Sequence, residues 1–283
     1  MIKLCAFSDE ASPSLDGQIK ALLRNEIYYT ELRGVDGENV ADITEDDAKK
    51  IKNKLDENGI KVWSLGSPYG KVSLSDGFSA DKLFYQLDHL CKLCKIFECG
   101  KIRVFSFYNA YDKREKVLKL LQKSVETARG YGVTLYHENE KDLYGDTADR
   151  VKELYENVEG LKFVYDPANY IQSGQSADLT LPLSAFASYY HIKDVVTETG
   201  ELVPAGYGDG KIAELLNMIN KDTTLTVEPH LAVFDGYAEI DGRELKNRFA
   251  FKSNGEAFDF AVSSLKKLLS DNGFLYENGG YIK

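Results

Sequence analysis

No stretch of the 283-residue chain approaches the roughly 20 consecutive apolar residues needed to span a bilayer. The start, MIKLCAFSDEAS, also lacks the charged-then-apolar pattern of a secretory signal. Both absences predict a cytoplasmic protein with no membrane partner. Basic residues are outnumbered: 35 Lys and Arg against 45 Asp and Glu give a formal net charge of -10. Phosphate binding relies on clustered cations that release counterions, so this balance argues against a nucleic-acid partner and for small-molecule chemistry. Cysteines number only four, three of them in HLCKLCKIFECG. Cys91 and Cys94 have C-x-x-C spacing. Leu83, Leu87, Leu90, Cys91 and Cys94 nevertheless fall at the three-and-four spacing of one helix face, which predicts core packing rather than zinc or redox chemistry. Cys5, in an apolar run, reads as core too.

What is present is a rhythm. Short apolar runs alternate with longer amphipathic stretches, the pattern of βα units around a parallel sheet. Strands are predicted at 2–7, 28–33, 61–66, 101–107, 133–138, 161–166, 189–194 and 224–228. Between them lie helical patterns such as LDGQIKALLRN, EDDAKKIKNKLDENG and REKVLKLLQKSVETARGYG, the last two ending in Gly where a left-handed cap is wanted. Thr44 with Asp47 resembles a capping pair. Eight such units predict an α/β fold, a (β/α)8 TIM barrel forming a single domain over 1–283. An open doubly wound sheet is the alternative, but FSDEASPS after the first strand lacks the G-x-G-x-x-G turn. Two irregular stretches, VTETGELVPAGYGDG and PHLAVFDGYAEIDGRELKNRFAFKSNG, follow the seventh and eighth strands.

A barrel of this kind places its active site at the carboxyl ends of the strands. YHENEKDLYGD ends the fifth strand at Glu138, YDPANY ends the sixth at Asp166, HIKD carries His191 and Asp194 on the seventh, and VEPH ends the eighth at Glu228. Each falls one βα unit further round. Any one of these acids alone reads as a helix cap or a solvated charge. Three carboxylates and an imidazole converging on one mouth would repel one another unless a cation sat among them. Mostly oxygen ligands with one nitrogen suit Mn²⁺, Mg²⁺ or Co²⁺, and zinc also accepts imidazole and carboxylate. Glu140, one pleat beyond Glu138, is placed to orient a ligand or touch substrate. HENEK is not the H-E-x-x-H protease pattern, because Lys141 stands where the second histidine is required.

The set HENE, YDPAN, HIKD with PAGYGDG, and VEPH resembles the xylose isomerase-like TIM barrels, which include sugar phosphate isomerases/epimerases, ketose 3-epimerases and inosose dehydratases. The resemblance runs over nearly the whole chain. It implies that Glu138, Asp166, His191 and Glu228 bind a divalent metal, commonly Mn²⁺, that Glu138 and Glu228 form the acid/base pair, and that dimers or tetramers form. The chain departs from the ketose epimerases at Asn169, where they carry a histidine, and at Thr197, where they carry an arginine. HIKD and PAGYGDG look more like the inosose dehydratase-like branch, in which Lys193 would face the substrate.

The predicted activity is that of a metal-dependent sugar or sugar phosphate isomerase/epimerase. It would remove a proton next to a carbonyl, through a metal-stabilised enediolate. If Lys193 or His230 instead protonates a leaving hydroxyl, the same intermediate leads to dehydration of a keto-cyclitol or an oxidised glycoside. Glu10, Glu31, Arg33, Ser67 and Tyr108 are further candidates for the pocket; Arg33 either pairs with Glu31 or Glu10 or grips an anion, and Trp63 either stacks on a sugar ring at the mouth or packs in the core. PAGYGDG can either approach a phosphate through its backbone or serve as a plain loop. Two other classes share the scaffold: a non-catalytic sugar-binding barrel, and a DNA-repair endonuclease, which four histidines and an acidic surface argue against.

Overall fold

The computed structural model describes residues 1–231, 249 and 251–283. Eight parallel strands follow in chain order: β1 (Ile2–Ala6), β2 (Tyr29–Leu32), β3 (Lys61–Gly66), β4 (Lys101–Val104), β5 (Thr134–Glu138), β6 (Lys162–Tyr165), β7 (Tyr189–Ile192) and β8 (Thr223–Val227). Each pairs with the next, and β8 returns to pair with β1 from Ile2↔Thr223 to Ala6↔Val227, closing a (β/α)8 barrel. All eight expected strands are present. A hairpin of β9 (Leu275–Glu277) and β10 (Gly280–Ile282) docks on the amino end of β1 through Ile2↔Tyr281.

The helices form where capping and periodicity agree. Ser14 accepts a hydrogen bond from the Gly17 amide at the start of α1 (Leu15–Arg24), and Thr44 accepts one from the Asp47 amide at the start of α2 (Glu45–Glu57). Around α2 and α4 (Arg114–Gly130), Gly59 and Gly132 take φ of +69° and +72°, the left-handed caps expected. α3 (Ala80–Ile96) buries Leu83, Leu87, Leu90, Cys91 and Cys94. Burial pushes the Cys91 thiol up to about 12, so it behaves as a packed apolar group. α5 (Ala148–Asn157), α6 (Pro167–Gln172), α7 (Ile212–Met218) and α8 (Asn254–Asp271) complete the layer. No helix among the described residues is long and apolar enough to cross a membrane.

The hydrophobic core lies between the strands and this helical ring. Outward-facing residues such as Leu4, Leu32, Leu65, Val104, Leu135 and Leu225 belong to it. Each such side chain, fully buried, contributes about 1.5–3 kcal/mol. Inward-facing positions are different in kind. Tyr29, Trp63, Tyr136 and Tyr189 meet edge to face near the amino end. Phe7, Glu31, Arg103, Glu138, Asp166, His191 and Glu228 follow further along.

Candidate functional site

The charged mouth is built from strand ends. Glu138 closes β5, Asp166 follows β6 directly and caps α6 by accepting from the Asn169 amide at 2.9 Å, His191 sits within β7, and Glu228 follows β8. One ligand atom from each lies within 4.8 Å of all the others. The four residues expected as metal ligands are thus brought to one point. All four are buried.

His191 organises the cluster. Its Nδ1 stands 2.8 Å from Glu138 Oε1 and 3.6 Å from Glu228 Oε2, while Nε2 stands 3.1 Å from Glu31 Oε2. Glu31 also accepts from the Tyr189 and Thr226 hydroxyls at 2.9 and 3.0 Å. Glu31, one of the residues expected at the pocket, lies beneath the imidazole and is fully buried. It leaves Nδ1 facing the carboxylates as the nitrogen available to a metal.

Two arginines hold the acids from the sides. Arg103 Nη1 stands 2.8 Å from Glu138 Oε2 and is buried. Arg33 binds Asp9 at 2.7 Å, Glu10 at 3.0 Å and Glu228 at 3.4 Å, and so pairs with Glu10 rather than Glu31. Both guanidinium groups lie over Phe7. Gly66 makes room for them, because a Cβ there would stand 2.6 Å from Phe7 and 3.2 Å from Arg33. Sequence reasoning missed Arg103; the signal was a guanidinium in the apolar run KIRVF, the same anomaly that betrayed Glu138.

The remaining expected residues fall into place as follows. Lys193 Nζ bridges Asp166 Oδ2 at 3.0 Å and Glu228 Oε2 at 3.1 Å. His230 Nε2 stands 3.1 Å from Glu10 and 3.3 Å from Glu228. Asn169 donates to Glu138 Oε1 at 3.2 Å and to the Asn139 carbonyl at 2.9 Å. Glu140 pairs with Lys71 at 3.0 Å at the rim. Ser67 donates to the Arg103 carbonyl at 2.7 Å, a structural role. Tyr108 forms an isolated bridge with Ser73.

Trp63 requires a correction. It lies toward the amino end of β3, against Tyr29, Tyr189 and the Lys101 ammonium, far from the mouth. The β2–β3 register passes from Thr30↔Val62 to Glu31↔Ser64, so Trp63 is the extra residue of a bulge. Of the two readings of PAGYGDG the plain loop fits the contacts: the amides of Gly206, Gly208 and Gly210 donate to the Asp194 carboxylate at 3.0, 3.1 and 2.8 Å. Of the irregular stretch after β8, residues 232–248 and 250 lie outside the described residues.

Electrostatics favour a bound cation. Among the described residues, Asp9, Glu10, Glu31, Glu138, Asp166 and Glu228 share the mouth with three permanent cations, Arg33, Arg103 and Lys193. Burial opposes ionisation of Glu138, but His191 and Arg103 outweigh it and take its pKa down to about 2. Burial dominates at Asp166 and raises it to about 7, against the pull of Lys193. His191 is raised well above its usual value: burial works against the charged imidazole, and Glu138 and Glu31 overcome it. Asp166 Oδ2 is buried without a hydrogen bond, its contact with Lys193 being ionic only. An orphaned carboxylate oxygen beside two further carboxylates and an imidazole nitrogen fits a divalent metal.

This geometry agrees with what the chain is similar to. The family model of the xylose isomerase-like TIM barrel matches residues 26–243, and the chain belongs to that family. No curated protein sequence matches it. Among solved structures it is similar to the probable 3-DHS dehydratase AsbF, involved in petrobactin synthesis, from Bacillus anthracis, with 17% identity, a TM-score of 0.71, and 94% of this chain and 99% of that one covered. It is similar to the IolI protein with a bound zinc atom, at 16% identity and a TM-score of 0.70, over 95% and 99% of the two chains. An L-ribulose 3-epimerase gives 17% identity and a TM-score of 0.72, with 96% of each chain covered.

Proposed function

We propose that the protein is a divalent-metal-dependent isomerase or epimerase of a sugar or sugar phosphate, with residues 1–283 working as one barrel domain. The observation that carries this reading is the convergence of Glu138, Asp166, His191 and Glu228 within 4.8 Å. The epimerase among the similar structures and the zinc atom in IolI support it. Mn²⁺ is the ion the resemblance favours, with Co²⁺, Mg²⁺ and Zn²⁺ as alternatives the same donors accept. A divalent ion held by these donors would polarise a substrate carbonyl and make the neighbouring C–H more acidic.

The protein's own groups supply the rest. Glu138 and Glu228 are both held ionised, Glu228 well below the usual carboxylate range because Lys193, His230 and His191 outweigh its burial. Either can therefore accept a carbon-bound proton. Delivery of a proton to the opposite face of the same carbon gives epimerisation, and delivery to the neighbouring carbon gives isomerisation. Asn169 fixes the Glu138 carboxylate and Arg103 its second oxygen. His230 and Arg33 do the same for Glu228.

A second reading rests on Lys193. Its ammonium stands 3.1 Å from Glu228 Oε2, a proton-bearing group beside the candidate base. That arrangement suits protonation of a leaving hydroxyl, the dehydratase outcome, and the similar AsbF structure bears the name of a dehydratase. The test measures metal per chain by mass spectrometry after exposure to Mn²⁺, Co²⁺, Mg²⁺ and Zn²⁺, then solvent deuterium entering keto-sugars and keto-cyclitols. About one retained ion with deuterium at a single carbon is expected. A new epimer or isomer favours the first reading and a dehydrated product the second, whereas full exchange by Glu138→Gln and Glu228→Gln overturns the acid/base assignment.

A further inference from the structure

Behind the mouth, at the opposite end of the barrel, Tyr29, Lys61 and Lys101 open β2, β3 and β4. With Trp63 and the turn through Cys99 and Gly100 they line a hollow of about 280 Å³. Its acids are already committed: Asp56 and Glu98 both pair with Lys52. Among the described residues no ion pair is made by Lys3, Lys61 or Lys101. Lys101 Nζ stands instead 3.7 Å from the centre of the Trp63 ring, and Lys3 donates to the Tyr29 hydroxyl at 3.3 Å. Burial lowers the Lys101 pKa, outweighing the opposing pull of the nearby thiols and Glu31. Trp63 Nε1 is buried with no acceptor.

Two ammonium groups that make no ion pair among the described residues, one of them half-buried, therefore line one cavity beside an aromatic ring. In a chain of net charge -10, unpaired lysines gathered at one cavity are conspicuous. Leaving such groups unpaired is costly, and an acceptor-only ligand removes that cost. We propose that the hollow is a second ligand site, separate from the metal-type cluster, that takes a small oxyanion: a phosphate ester or a carboxylate. Lys101 and Lys61 supply charge-assisted hydrogen bonds, and the Trp63 ring forms part of the wall beside Lys101. The volume admits a group of a few carbons.

Trp63 is the only tryptophan, so its emission reports directly on this hollow. The full chain is titrated with inorganic phosphate, and separately with malonate, at ionic strength held constant with chloride, and binding heats are measured in parallel. A saturable emission change with a matching calorimetric midpoint is expected. Saturation by phosphate alone assigns a phosphate ester, by malonate alone a carboxylate, and by both a general oxyanion site. Lys101→Met should weaken binding about ten-fold or more, while Lys101→Arg keeps it within about three-fold. If Lys101→Met does not fold, Lys61→Met at the exposed rim should weaken binding about three-fold. The absence of saturation by either anion overturns the proposal, as does undiminished affinity in the folded lysine variant.

Discussion

At the amino end of the barrel the inward-facing side chains of β2, β3, β5 and β7 are Tyr29, Trp63, Tyr136 and Tyr189; two or three residues further along, Glu31, Gly66, Glu138 and His191 take their place. The same strands thus carry an aromatic floor and an ionic mouth, separated by one pleat. The floor supports the mouth directly, since the Tyr189 hydroxyl holds Glu31 and Glu31 holds His191. The charge surpluses are opposite. Among the described residues carboxylates exceed permanent cations at the mouth, whereas at the floor Lys61 and Lys101 make no ion pair. The two surpluses stay apart because packed side chains fix the strand residues in place, one pleat separating the aromatic floor from the acids.

The sharpest way to break this contrast is at the mouth. Glu228→Gln keeps the shape of a buried side chain but removes a ligand and a base, and deuterium exchange should fall by about 10²–10⁴. Its thermal midpoint should stay close to the parent's, measured by calorimetry. A loss of folding instead would make Glu228 a structural ion-pair partner.

Between the two ends, His137 faces outward from β5 and is buried, with Nε2 unpartnered and its pKa lowered to about 4 by desolvation. The unfolded chain takes up that proton near pH ~6.5 while the folded protein stays neutral. Stability from this residue is therefore complete above that pH and is lost as pH falls toward 4, by about 3 kcal/mol in all. Asp166, raised to about 7, tilts the parent the other way over the same window, so the readout is the difference between parent and His137→Gln: the parent's advantage in urea midpoint should shrink as pH falls from 7 to 4. A difference independent of pH would contradict the burial argument.

The link from floor to mouth is tested at Glu31. Glu31→Gln weakens the partner of His191 Nε2 without touching the donor atoms, and metal affinity should fall about 10–100-fold. Metal titration by calorimetry reads this, and unchanged affinity would detach the imidazole's orientation from ligand binding. The smallest effect belongs to Trp63→Phe, which keeps an aromatic ring against Tyr189 and should alter exchange activity less than about two-fold. A ten-fold loss would mean that floor and mouth act as one unit.

The strands, the caps and the four ligand-type residues were legible because each breaks or ends an apolar run at a position that periodicity fixes. Glu138, Asp166, His191 and Glu228 announce themselves as polar groups where a buried strand stops. Depth inside the barrel was not legible. Glu31 precedes its strand's end by one residue and so points beneath His191 rather than at a substrate. Trp63 was misplaced because the β2–β3 bulge depends on a neighbour, not on the tryptophan's own sequence context. Arg103 pairs across to β5, and the Gly206–Gly210 loop folds back on Asp194; both partnerships join residues separated along the chain, which no local pattern displays.

The pairing of β1 with β8 sets a timetable. Ile2 finds its partner only when Thr223 exists, and the Met1 amino group meets Asp222 beside it. At a synthesis rate of about 5–20 residues per second, roughly 10–45 seconds separate the two. Throughout that interval β1 has an unpaired edge, and from the synthesis of His191 onward the ligand-type set still lacks Glu228. Closing the wall and completing the ligand set are then one event, so a shortened chain that lacks β8 lacks the metal-type cluster as well.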